Sequence, residues 1–303
     1  MTDSTPDTPV PPPILPDATA ADPALAFRIV APKAALWFEP GSRQLVVSFD
    51  NLATVDDPYP RPPWLLARLQ GAGYAVLGVQ TFAKDWYRNP DAAPLVETLA
   101  ATGFFKQFDR VVFIGASMGA FAAINLATLV PGATVIALSP QSTMSARIAP
   151  FERRFAWAVR KRDWTTPAFL DARDAVPDVV RIVLLYDGRV AEDMAHARRL
   201  AAPNVQLLRI DYTTHEAIRV VMKCGALLPL VQDVMQTGAA GPAFWQAMRA
   251  RRGVRKWARA FMEAVVAEGH TPRIHATATA LLRQEDYLFA QTALRDLKAK
   301  PPR

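Results

Sequence analysis

The feature that most constrains this chain is a five-residue turn, Gly115-Ala116-Ser117-Met118-Gly119, set between two apolar segments. Ahead of it, Arg110-Val111-Val112-Phe113-Ile114 reads as a buried strand. Behind it, Met118 to Leu129 reads as a helix closed by Pro131-Gly132. A strand that turns into a helix so abruptly places the serine on a strained backbone, and the crowding there requires small flanking residues. The hydroxyl is lifted above the sheet edge, and the next N–H, on Met118, faces any oxyanion that forms. With 14 glycines and seven serines in 303 positions, chance supplies about 0.015 Gly-x-Ser-x-Gly matches. The turn therefore predicts an open α/β sheet with a nucleophilic serine at its edge.

The flanking sequence agrees. Short runs at Phe27-Arg28-Ile29-Val30 and Ala35-Leu36-Trp37-Phe38 are broken by Pro32-Lys33 and suggest an antiparallel hairpin at the sheet edge. Strands follow at 44–49, 74–79, 110–114, 134–138, 181–186 and 205–210. Helical spacing separates most of them, at 64–69, 92–102, 118–129 and 192–200, and one long helix is expected over 216–236. Strands apolar throughout, alternating with helices, mean a mostly parallel sheet covered on both faces.

A serine nucleophile needs a base, and the base needs an orienting acid. Of four histidines, His270 and His275 lie far toward the C-terminus and His196 falls inside a helix. His215 stands just past a strand, in Asp211-Tyr212-Thr213-Thr214-His215, where an imidazole can reach back over the sheet. Two acids compete. Asp187 directly follows the strand 181–186, whereas Asp193 begins a helix, where a carboxylate is favourable for local reasons. The reading therefore takes Asp187 as the acid, with Asp193 as the alternative. A second oxyanion donor is expected from Asp50-Asn51-Leu52, with the Asn51 N–H joining that of Met118.

Nucleophile, acid and histidine in this order, each at a strand's carboxyl end, resemble the α/β-hydrolase superfamily over roughly residues 43–235. The resemblance implies a Ser117-His215-Asp187 triad, an acyl-enzyme on Ser117 and later attack by water or another acceptor. Many members carry His-Gly in the oxyanion loop, where this chain has Phe49-Asp50-Asn51. A carboxylate facing inward there would repel an oxyanion.

The remaining sequence defines the organisation. Residues 1–24, rich in proline, are expected to be a disordered tail; they lack the basic-then-apolar pattern of a secretory signal. Residues 25–238 form the α/β-hydrolase domain, with 141–178 and its aromatic side chains as a small lid. Residues 239–303 form a helical appendage. No apolar run reaches the roughly 18 residues of a membrane span. One cysteine, Cys224, excludes an internal disulfide, fits a cytoplasmic protein and reads as a buried small hydrophobe. No metal-ligand spacing and no phosphate-binding glycine loop is present, so no metal or cofactor is expected. The net charge of +7 gathers partly in basic C-terminal helices that could attract an anionic partner. The leading expectation is an esterase, thioesterase or acyl-transfer enzyme on a small-molecule acyl substrate. The competing one is a weakly catalytic scaffold of the same fold for an anionic partner.

Overall fold

Alternating side chains along the central strands find apolar partners on both sides, and this fixes a three-layer arrangement. The computed structural model describes residues 22–299; most of the expected N-terminal tail, residues 1–21, lies outside them. The strands are β1 (Phe27–Val30), β2 (Ala34–Glu39), β3 (Gln44–Phe49), β4 (Ala75–Thr81), β5 (Arg110–Ala116), β6 (Thr134–Leu138), β7 (Arg181–Tyr186) and β8 (Val205–Arg209). They form one sheet in the order β1-β2-β4-β3-β5-β6-β7-β8. Only β2 runs against the rest: it pairs antiparallel with both β1 and β4, and every other pairing is parallel. The expected edge hairpin is thus present.

The helices are α1 (Leu66–Gly71), α2 (Ala92–Ala101), α3 (Met118–Ala127), α4 (Ala156–Val159), α5 (Ala172–Ala175), α6 (Ala191–Arg199), α7 (Ala217–Lys223), α8 (Leu227–Thr237), α9 (Pro242–Ala247), α10 (Arg255–Ala267), α11 (Thr271–Leu282) and α12 (Leu288–Ala299). In β5, Phe113 belongs to a core shared with α2, α3 and α5, while Val112 and Ile114 belong to the opposite core. β7 splits the same way, with Ile182 and Leu184 on one side and Val183 and Leu185 on the other. This is the period of two expected of a strand covered on both faces.

The helix expected over 216–236 is two helices. Gly225 adopts a left-handed φ of 68°, and the Ala226 N–H closes back on Val221 O at 2.9 Å. That glycine-based terminus ends α7 and lets α8 start in a new direction. Cys224 beside it is half-buried rather than buried, and burial still raises its thiol above the usual range.

The C-terminal helices do not stand apart from the sheet. Phe244, Met248, Trp257, Met262 and Tyr287 belong to the same continuous core as Val46, Ile114 and Val183, joined through α7 and α8. Trp257 Nε1 also donates to Asp211 O at 2.9 Å, tying α10 to the loop after β8. Among the described residues no helix is long and apolar enough to cross a membrane.

Because β3 and β5–β8 run parallel, the loops that follow them emerge at one edge of the sheet. That edge collects residues 50–54, the turn at 117, residues 139–141, 187–193 and 211–216. In open α/β sheets this carboxyl edge is where ligands bind.

Candidate active site

Ser117 sits between β5 and α3 with φ 52° and ψ −115°. A non-glycine residue there is strained, and the surrounding contacts must hold it. The two glycines of the turn show how. A Cβ on Gly115 would lie 2.1 Å from Gly119 O, and one on Gly119 would lie 2.6 Å from Asp50 O. Neither site has room for a side chain, which accounts for glycine at both positions.

Ser117 Oγ lies 2.9 Å from His215 Nε2, and His215 Nδ1 lies 2.8 Å from Asp193 Oδ1. A carboxylate only accepts, so Nδ1 carries the proton and Nε2 offers its lone pair to the serine hydroxyl. The structure does not bring Asp187 to this imidazole. Its Oδ2 accepts the Thr214 N–H at 2.7 Å and its Oδ1 accepts the Arg189 N–H at 2.9 Å. Asp187 thereby braces the loop in which Tyr212 and Thr214 both take positive φ. Of the two acids, the structure places Asp193, the alternative, and not Asp187 against the imidazole. A carboxylate at the strand's very end is too near the sheet and caps the neighbouring loop. The first turn of α6 carries Asp193 out to the histidine.

Asp193 is buried and has a second partner. Arg154 Nη1 donates to the same Oδ1 at 2.8 Å, and Asp193 Oδ2 has no hydrogen-bond partner among the described residues. Arg154 also pairs with Glu152, which meets His196 Nε2 at 3.2 Å. Burial alone would raise the Glu152 carboxyl, but His196 and Arg154 outweigh it and hold it down at about 2. His196 is itself fully buried, and its Nδ1 takes the Ser142 N–H at 3.0 Å. Ser142 Oγ lies 3.0 Å from the same nitrogen, yet Ser142 is as inaccessible as His196. That pair anchors the ion-pair chain and has no route to a substrate.

Gln141 is a third neighbour of the nucleophile. Trp86 Nε1 donates to its Oε1 at 3.2 Å, which turns the amide so that Nε2 faces Ser117 Oγ at 3.0 Å. Sequence reasoning missed Gln141, Trp86 and Arg154. Only their closeness to a strand end or to the lid segment hinted at them.

The oxyanion loop also departs from expectation. The Asn51 N–H is spent on Thr54 Oγ1 at 2.7 Å, so Asn51 does not offer it to the cavity. Its side chain caps the same turn, accepting from Ala53 N at 2.9 Å and Thr54 N at 3.2 Å. The Leu52 N–H has no acceptor among the described residues, and Leu52 lines the cavity. Met118 opens α3, where the first N–H groups have no carbonyl within the helix. The Asp50 carboxylate is not a threat. It is buried on Arg61 Nη2 at 2.6 Å and is absent from the cavity lining. Burial raises its carboxyl even though Arg61 and the hydrogen bonds oppose the shift.

A cavity of about 450 Å³ opens over Ser117 and His215, walled by Leu52, Trp64, Leu138, Phe155, Ile218 and Met222. Phe155 comes from the 141–178 segment, and its ring centre lies 5.7 Å from that of His215. Trp157 of the same segment is instead exposed. Among the described residues no three His, Cys, Asp or Glu side chains converge to hold a metal.

No protein-family model matches the sequence, and no curated protein matches it. Among solved structures, the chain is similar to a capsule O-acetyltransferase of Neisseria meningitidis serogroup A at 11% identity and a TM-score of 0.44, over 69% of this chain and 94% of that one. It is similar to Mycobacterium tuberculosis MPT51 at 16% identity and a TM-score of 0.49, over 71% and 98%. It is also similar to the Pyrococcus furiosus esterase Pf2001 at 18% identity and a TM-score of 0.44, over 66% and 86%. The strand order with β2 alone reversed, and a serine turn running from β5 into α3, make this the α/β-hydrolase fold.

Proposed function

We propose that this protein is a serine hydrolase or acyl-transfer enzyme working through Ser117, His215 and Asp193. The observation that carries the reading is the unbroken relay from Ser117 Oγ to His215 Nε2 at 2.9 Å and from His215 Nδ1 to Asp193 Oδ1 at 2.8 Å. Ser117 Oγ attacks the substrate carbonyl carbon while its proton passes to His215 Nε2. Asp193 holds the imidazole in the required tautomer and stabilises the imidazolium that results. The negative oxygen of the tetrahedral intermediate is received by the N–H groups of Met118 and Leu52, an effect worth about 3 kcal/mol per donor. The intermediate collapses as His215 returns the proton to the leaving group, and an acyl ester remains on Ser117. Water or an acceptor hydroxyl then attacks that ester by the reverse proton path.

Gln141 Nε2 donates to Ser117 Oγ and steadies the oxygen as it loses its proton and again when it departs. The apolar walls around the cavity suit an acyl group of modest size. The test is labelling with a fluorophosphonate probe, with Ser117→Ala, His215→Ala and Asp193→Asn alongside. Labelling of the native chain that disappears in the Ser117 and His215 variants supports the reading. Absence of labelling in well-folded native protein would overturn it.

A further inference from the structure

A second cavity, of about 630 Å³, is larger than the one at Ser117. It lies where the C-terminal helices meet the loop that bears His215. Residues 241–303 hold 12 Lys and Arg against five Asp and Glu, so this stretch accounts for the chain's entire net charge of +7. From Met248 to Arg259 there are six basic residues and no acid.

Three guanidinium groups line the cavity, those of Arg251, Arg252 and Arg283, and no carboxylate does. Some exposed arginines of this chain find counter-charges, as Arg43 does on Asp109 and Arg259 on Glu263, while others, such as Arg110 and Arg153, have no ion-pair partner among the described residues. Arg252 and Arg283 have no ion-pair partner among the described residues. Arg251 is held in place beforehand. Its Nη1 donates to Met248 O at 2.9 Å, and its guanidinium carbon lies 5.4 Å from the Trp257 ring centre. Like charges gathered around one concavity repel one another, and low-dielectric walls focus their field outward. An anion relieves that repulsion, and guanidinium forks match phosphate oxygens two at a time. The lining also holds apolar surface, from Phe261, Ala276, Ala280 and Leu281. Such a surface suits a ring and offers nothing to a bare anion.

We propose that this cavity binds a small phosphorylated ring compound, with its phosphate groups on Arg251, Arg252 and Arg283 and its ring against Phe261, Ala276, Ala280 and Leu281. The site stands apart from the serine chemistry, and its occupancy does not depend on whether Ser117 is reactive. Tyr212 belongs both to its wall and to the loop of His215, so the ligand touches the segment that positions the base.

Calorimetric titration of the full chain with ADP and with glucose 1-phosphate tests the proposal, and the tighter of the two identifies the ring as nucleoside or sugar. At least one is expected to bind saturably, with pyrophosphate about tenfold weaker or worse and with adenosine and glucose giving no measurable heat. Binding should weaken between 50 and 200 mM salt, because charges at an accessible site are screened. The double variant Arg252→Ala/Arg283→Ala should lower affinity about tenfold or more while its thermal midpoint stays at the native value, since both side chains are exposed. No binding of either phosphorylated probe, or affinity unchanged in the double variant, overturns the site. Pyrophosphate binding as tightly as the better probe overturns the ring assignment.

Discussion

Replacing Asp193 by Asn separates the two acids of the site and gives a number to the relay. The change keeps the shape of a buried side chain and removes the charge that faces the imidazolium in the transition state. Two unit charges about 4 Å apart in a medium of effective dielectric constant about 20 attract by roughly 4 kcal/mol, or about three decades of rate. Loss of the correct imidazole tautomer adds to this, and the same exchange in a Ser-His-Asp triad costs about 10⁴-fold. Here Arg154 already shares Asp193 Oδ1, so part of the carboxylate charge is neutralised in the native protein. The expected fall in kcat therefore lies near 10³ rather than 10⁴. Asp187→Asn should behave differently. Asn can still accept one of the two loop N–H bonds, so the loss is one charge-assisted bond, about 1.5–3 kcal/mol of stability. Its activity should stay within about tenfold of native when measured well below the melting transition. The assay is kcat and KM on an activated aryl ester, with circular dichroism of each variant. Equal losses, or a larger loss for Asp187→Asn in folded protein, would refute the assignment of Asp193.

Three further outcomes follow from particular contacts. Gly115→Ala should destabilise by about 3 kcal/mol or more, since its Cβ meets Gly119 O at 2.1 Å, while Gly71→Ala, with nothing within 4 Å, should be neutral or mildly stabilising. Matched denaturant melts decide it, and equal midpoints would contradict the crowding argument. Glu152 titrates at about 2 in the folded chain against an ordinary 4.5, so its contribution to stability is complete above 4.5 and lost as pH falls toward 2. Glu152→Gln should then be less stable than native at pH 7, with the gap closing below pH 4.5; a pH-independent gap would count against the ion-pair chain. Deleting residues 241–303 should yield insoluble protein or lower the midpoint by at least about 10 °C, because it uncovers the core around α7 and α8 and removes the Trp257 bond to Asp211. A soluble truncated chain that melts like the native one would show that these helices are dispensable to the core.

Much of this architecture could be read before any coordinates. Strands such as β5 and β7 are apolar at almost every position after their first residue, Arg110 or Arg181, so their class follows from composition, and the elbow at Ser117 is dictated by sterics that only glycine satisfies at 115 and 119. Helix continuity was harder to read: the apolar spacing persists across Cys224-Gly225-Ala226, and only the positive φ of Gly225 splits α7 from α8. The failures at the site share one cause. Asp187, Asp193, Asn51 and Leu52 all lie in loops or first turns, where the backbone decides which groups are already spent. The Asn51 N–H is consumed by Thr54, three residues on, and Asp187 is consumed by Thr214, 27 residues on.

Periodicity reports which face of an element is buried, but it is silent about which polar group in a turn keeps a free donor or acceptor. The one available signal for Asp193 was geometric. A carboxylate must clear the sheet edge to meet an imidazole arriving from the neighbouring strand, and the stretch Gly188 to Glu192 supplies that reach where Asp187 has none. The first turn of α6 fixes the backbone of Asp193 there. The side chain caps nothing in α6, whose N-cap is Val190 with no side-chain bond, so its carboxylate is left for His215 and Arg154.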